Sequence, residues 1–184
     1  MNQYIALLRG INVSGKNQIS MPILKDAFIT AGFSNVSTYI NSGNVLFSST
    51  ISDATDLSQL CNNLIKDKFQ LDIPVAVISL IELTQALDNA PEWWDIESST
   101  EVIHQAIFLI PPATIEEVYK AIGDANLEYE QVYSYGNVIF WSAPRATLSK
   151  TRWYKIPSSS ANRKVTIRNA NTTKKLKSLS KNDN

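Results

Sequence analysis

Two hydrophobic periods alternate along the chain. YIALLRG near the start, VSTYIN, GNVLF at 43–47 and PVAVIS at 74–79 are short apolar or alternating runs with the period of strands. Between the first two, Met21, Leu24, Ala27, Phe28 and Ala31 recur at helical spacing and stop at Gly32, a residue suited to a helix C-cap. After Asp53, apolar positions at 57, 60, 61, 64 and 65 mark one face of a second helix. The series then starts again. QAIFLIP at 105–111, EQVYSY, GNVIF at 136–140 and KVTIRN at 164–169 form a second set of strands, with helices expected over 114–122 and about 146–155. GNVLF and GNVIF are 93 residues apart, PVAVIS and KVTIRN 90, and each Gly-Asn falls where a tight hairpin turn belongs. A short helix trails each set, LIELTQALD and then NTTKKLKSL.

Each half therefore reads strand–helix–strand–strand–helix–strand, the order of a split βαβ, ferredoxin-like unit. The expected fold is α+β: duplicated ferredoxin-like (βαββαβ plus trailing helix) units with antiparallel sheets and helices over one face. The expected division is a first unit at 1–90, an acidic linker at 91–103 where APEWWDIESSTE breaks both periods, and a second unit at 104–184 ending in a basic helix. Units of this size are near the lower limit for independent folding, so a shared interface is expected.

Composition narrows the classes. The 184 residues are 44% hydrophobic and 18% charged, enough to bury a core. No apolar run approaches the roughly 20 residues of a membrane helix. MNQYIALLRGIN enters a strand-like run with no basic region, so no signal peptide and a cytoplasmic location are expected. The net charge is zero, yet residues 1–144 carry six bases and sixteen acids while 145–184 carry eleven bases and one acid. Because residue 145 falls at the second helix of the second unit, this split reads chiefly as two halves neutralising each other.

Scarce residue types remove chemistry. Cys61 is the single cysteine and lies on the apolar face of its helix, which reads as a buried, inert thiol. His104 is the single histidine and opens the apolar strand QAIFLI; a two-histidine metal site within the chain is excluded. No cofactor is implied.

The segment Gly10-Ile-Asn-Val-Ser-Gly15-Lys16-Asn17 matches a phosphate-binding P-loop except at its last position, where Asn17 replaces the magnesium-binding hydroxyl. No Walker B-type Asp follows an apolar strand, and an antiparallel sheet conflicts with that enzyme class, so nucleoside triphosphate hydrolysis is rejected. A Gly-rich loop with Lys16 leading into a helix remains a candidate anion cradle beside the plainer reading of a strand-to-helix loop. In a βαββαβ unit the end of the first strand and the hairpin between the second and third lie at one sheet edge. That edge would gather Arg9, Asn12 and Lys16 with Tyr39, Asn41, Ser42 and Asn44. In the second half it carries Pro111, Pro112, Tyr135 and Asn137, with no cation.

LLRGINVSGKN, STYINSGNVLF and VTIRNANTTKKL resemble the three signature blocks of the bacterial family catalogued as domain of unknown function 1697. The resemblance implies a duplicated ferredoxin-like fold and a soluble bacterial protein, and it carries no reaction. The family's polar signature falls on Arg9, Asn12, Lys16, Asn17, Tyr39, Ser42, Gly43, Asn44, Thr166, Arg168, Asn169 and Thr172. Ala170 stands where the family usually has Trp, which removes any stacking role there.

Strand alternation puts Thr166 and Arg168 on one face, Val165 and Ile167 on the other. Arg168 would join Arg9 and Lys16 if the units packed with opposed ends together; otherwise it would pair with an acid of the first unit. Trp93 and Trp94, next to Asp95, would stack a ligand ring or, as linker residues more often do, anchor the linker to a core. Lys174, Lys175, Lys177 and Lys181 invite a nucleic-acid reading, but neither NVLFSS nor NVIFWSA has the stacking pattern of an RNA-recognition motif, and the body is acidic. The expectation is a small anionic ligand, phosphorylated or carboxylated, clamped by Arg9 and Arg168 with Lys16 adding charge and Asn12 and Asn44 orienting polar groups. With no convincing general base, catalysis is not claimed. The alternatives are a nucleic-acid module using the basic end, or an interaction protein that dimerises through its sheets.

Overall fold

The strands pair into two antiparallel sheets of four, with helices, giving an α+β fold in the computed structural model, which describes residues 1–94 and 100–180. The first set comprises β1 (Asn2–Leu8), α1 (Met21–Thr30), β2 (Ser34–Tyr39), β3 (Asn44–Ser49), α2 (Ala54–Phe69), β4 (Val75–Ser79) and α3 (Leu80–Asp88). Its sheet runs β2-β3-β1-β4. The second comprises β5 (Val102–Leu109), α4 (Ile115–Ile122), β6 (Gln131–Tyr135), β7 (Val138–Pro144), β8 (Val165–Asn169) and α5 (Ala170–Ser180), and its sheet runs β6-β7-β5-β8. Two compact units result: Met1–Thr84 with the stretch from Lys175 onward, and Gln85–Lys174.

Local chemistry explains the elements. Asp53 caps α2 by accepting from the Thr55 and Asp56 amides at 2.7 and 3.0 Å, and these donors hold its carboxyl below the usual range. Gln70 closes the helix in the left-handed region at φ 57°. At the start of α4, Thr114 and Glu117 form a reciprocal capping box. In the first unit, the alternate β1 positions Tyr4, Ala6 and Leu8 meet Leu24 and Phe28 of α1 and Leu57, Cys61 and Ile65 of α2. Phe28, Phe33 and Phe47 form an aromatic cluster there, with ring centroids 4.7–5.6 Å apart. The second unit's core is built on Ile107, Ile139, Trp141, Trp153 and Val165.

One expected helix is absent. Residues 146–155 do not form an α-helix; the segment is a series of 3-10 turns over Arg145–Lys150, Trp153–Ser158 and Asn162–Lys164. The cause is a buried carboxylate. Glu130 Oε1 accepts from the amides of Asn126 (3.0 Å) and Arg152 (2.8 Å), while Oε2 accepts from the Trp153 amide (3.0 Å) and the Trp141 indole (2.8 Å). Two amides that an α-helix would need are thus drawn to a side chain, and Pro157 contributes no N–H at all.

The strand registers place the two Gly-Asn motifs differently in their sheets. Ala6 faces Val45 and Val77 across the first sheet, and Ile107 faces Ile139 and Ile167 across the second. Val45 and Ile139 thus hold like register positions 94 residues apart, whereas GNVLF and GNVIF are 93 apart. Gly136 and Asn137 are themselves the turn between β6 and β7. In the first unit the turn is residues 40–43, and Asn44 is already paired with Leu7.

Candidate functional site

Residues 9–20 connect β1 to α1, and two buried anchors, Ile11 and Ile19, hold the connection on the core. Between the anchors the chain makes a tight turn. Val13 and Lys16 form an isolated bridge, the Lys16 amide donates to Val13 O at 2.9 Å, and Ser14 and Gly15 have φ of 50° and 75°. Two successive left-handed residues are the geometry of a type I′ turn. Asn12 and Asn17 flank it at φ 53° and 48°, a region asparagine tolerates because its side chain bonds locally. Asn17 Nδ2 donates to Gly10 O at 2.9 Å.

Asn12 ties this loop to the β2–β3 hairpin. Its Nδ2 donates to Ile19 O at 3.0 Å and to Asn41 O at 2.9 Å, and its Oδ1 accepts from the Ile19 amide at 2.8 Å. The hairpin closes on the loop from the other side, with the Leu8 amide donating to Gly43 O at 2.8 Å. Gly43 has φ +80°, and a Cβ there would stand 2.7 Å from Leu8 Cβ and 2.8 Å from Ile11 Cδ1. Only glycine lets hairpin and loop approach this closely. Asn44 is fully buried, and its Nδ2 donates to Tyr39 O (2.9 Å) and Ser42 Oγ (3.1 Å). The amide donors of Asn12 and Asn44 are therefore committed to shaping the site.

Loop and hairpin in this way bring Arg9, Asn12, Lys16, Asn17, Tyr39, Ser42 and Asn44 into one region of the first unit. Arg9 is half-buried at the end of β1, with its amide on Pro74 O at 3.0 Å. Lys16 is exposed at the turn, with no ion pair among the described residues, and Val13 is 58% exposed beside it.

The corresponding edge of the second unit does hold a cation that sequence spacing misses. The Ile110 amide donates to Lys164 O at 2.8 Å, as Arg9 does to Pro74, and the Lys164 ammonium sits 3.2 Å from Glu117 Oε2. That ammonium, with the Thr114 amide, holds the Glu117 carboxyl below its usual range. The cation here is taken up by a structural pair.

Arg168 and Asn169 belong to the second unit. Arg168 is buried, and its Nη1 donates to Thr166 Oγ1 and Ile167 O, both at 2.9 Å. Burial lowers its guanidinium pKa to about 10, so it stays charged at neutral pH. Asn169 Oδ1 accepts from the Thr172 amide at 2.7 Å at the start of α5.

Cys61 is buried and its thiol is pushed up to about 12 by desolvation, as an inert core residue requires. His104 lies in β5 with Nδ1 2.6 Å from Ser142 Oγ. Trp94 is anchored within the second unit: its Nε1 donates to Gln105 O at 2.9 Å and its ring meets Phe140 edge-to-face at 4.8 Å. Trp93 is half-buried, and Asp95 and Lys181 lie outside the described residues. Among the described residues, no helix is long and apolar enough to cross a membrane.

Fold and site together define an α+β protein whose first strand ends in a glycine-containing, lysine-bearing loop locked to a hairpin. The family model described as Protein of unknown function (DUF1697) matches residues 1–140, and the chain belongs to that family. The first two sequence blocks lie inside the matched residues; VTIRNANTTKKL lies beyond them. The solved structure of the conserved bacterial protein SP0830 from Streptococcus pneumoniae is similar along nearly the whole length. It has 29% identity and a TM-score of 0.84, covering 97% of this chain and 98% of its own. No curated protein matches the chain.

Proposed function

We propose that the first unit binds a small anionic ligand, phosphorylated or carboxylated, on the surface formed by the RGINVSGKN loop and the 40–43 hairpin. The observation that carries this reading is concentrated backbone strain around an unpaired cation. Asn12, Ser14, Asn17 and Ile40 are four of the six described non-glycine residues with positive φ, and Ile40 is β-branched. For Ser14 and Ile40, which lack the local side-chain bonds of the two asparagines, such a conformation costs about 1–3 kcal/mol and persists where the surroundings over-determine it, as in ligand clamps. Lys16 is displayed on this rigid turn, and Arg9 stands at its base. The cation at the like edge of the second unit, Lys164, is neutralised by Glu117, whereas Lys16 has no ion pair among the described residues, which supports a role for the first unit's loop beyond scaffold. The shared strand order and consistent register also support reading the fold as a duplicated ferredoxin-like pair.

The test uses inorganic phosphate, pyrophosphate and citrate in thermal-shift titrations, with chloride at matched ionic strength as control. A ligand that binds only the native state raises the melting temperature saturably. Lys16→Ala, at an exposed turn, should melt like the parent without ligand and lose most of the shift. Arg9→Ala with Lys16→Ala should lose all of it. An identical ligand response in the Lys16 variant and the parent defeats the reading. The nucleic-acid alternative has less support, because α5 turns Thr172, Thr173 and Leu176 into buried positions rather than presenting a wholly solvated basic helix.

A further inference from the structure

The first unit has a concave feature remote in sequence from the RGINVSGKN loop. An open groove of about 1050 Å³ lies between α1 and α2 over the connections leading into β2 and out of β3. It is at the upper end of the range for small-molecule sites. Each helix contributes a stripe of apolar residues that its core-facing stripe does not use. On α1 the core takes Met21, Leu24 and Phe28, leaving Ile23 and Ala27 to the groove; on α2 it takes Leu57, Cys61 and Ile65, leaving Leu60, while Leu64 packs on the core and also lines the groove. Ile23, Ile51 and Leu60 line the groove while 46%, 36% and 43% exposed. Apolar surface collected in a concavity marks a contact site more than apolar residues scattered singly.

The polar groups give the sign of the occupant. Asp26 on α1 and Asp67 on α2 line the groove, and neither carboxylate has a hydrogen bond or ion pair among the described residues. Lys68 is the one lysine lining it. Phe33 and Phe69, both half-buried and packed against the core, complete the apolar part of the lining. We infer that the groove binds a hydrophobic organic cation, its apolar body on Ile23, Leu60 and Leu64 and its positive centre between the two carboxylates. This site is separate from the anion-binding loop and has the opposite charge preference.

Tetraphenylphosphonium and tetraphenylborate are near-identical in size and shape and opposite in charge, so calorimetric titration with each separates apolar contact from charge. The phosphonium should bind saturably and about tenfold more tightly than the borate, the scale expected for two solvent-facing carboxylates. Asp26→Asn with Asp67→Asn should bring the two ions to within about twofold of each other. Leu60→Gln, at an exposed position, should weaken both, and Lys16→Ala should change neither. Equal binding of the two ions to the parent, tighter binding of the borate, a preference that survives the paired Asn substitutions, or no phosphonium binding at millimolar concentration each overturns the assignment.

Discussion

Gly43 links the geometry of one residue to the assembly of the candidate site. It meets two independent demands, a left-handed φ of +80° and a close approach in which any Cβ would meet Leu8 and Ile11 within 2.8 Å. Gly15 meets only the first, at φ +75° with open space around its missing Cβ. Gly43→Ala should therefore cost about 2–4 kcal/mol, strain plus overpacking, and Gly15→Ala only about 1 kcal/mol. Urea denaturation of the two variants checks this, and equal losses would show that the close approach relaxes without cost. The sequence marks Gly43 and Asn44 as hairpin residues through the GNVLF motif, and Asn12 as polar within a Gly-rich loop. It cannot mark Asn12 as a latch, because that role depends on the Asn41 carbonyl, 29 residues away. Lys164 is equally invisible from local spacing: strand pairing, rather than sequence neighbourhood, brings its carbonyl to Ile110.

At the scale of elements, the sequence pattern places all eight strands and all five α-helices of the described residues, since each carries apolar positions that must face a core. It fails at 146–155. There the pattern Leu148, Trp153 and Ile156 packs on the core, but Glu130 takes the amides a helix would use. A buried carboxylate's preference for N–H donors overrides periodicity, and nothing within the segment signals it. Sheet edges differ in a way the sequence shows only in part. β2 is blunted by a register shift between Ser34 and Ser37, with Asn35 at φ 51°. β6, reading QVYSY, has a regular register, no charge and an exposed Tyr133. An unprotected edge of this kind is a template for another strand. The mass in sedimentation velocity should rise with concentration for the parent, and Tyr133→Lys should suppress that rise. A monomer at every concentration for both proteins removes β6 as an association edge.

At the scale of the molecule, the charge split along the chain dissolves once residues are grouped by compact unit. Residues 1–84 with 175–184 carry eight bases and seven acids, and residues 85–174 carry nine bases and ten acids. Neutralisation is thus completed within each unit, rather than between an acidic half and a basic half as linear counting suggests. Two features produce this: the acids of 85–144 share a unit with the bases of 145–174, and the chain from Lys175 groups with the first unit. Near-neutral units project no strong single-sign field, which weakens the case for phosphate-backbone binding. The C-terminal helix then contributes by packing more than by charge. Leu176 is buried at 1% exposure, whereas Lys175 beside it is exposed. Leu176→Ala should cost about 2–4 kcal/mol, and Lys175→Gln should stay within about 0.5 kcal/mol of the parent. Urea unfolding at low and high salt measures both. A Lys175 effect as large as that of Leu176, and screened by salt, would return α5 to the role of a charged tail.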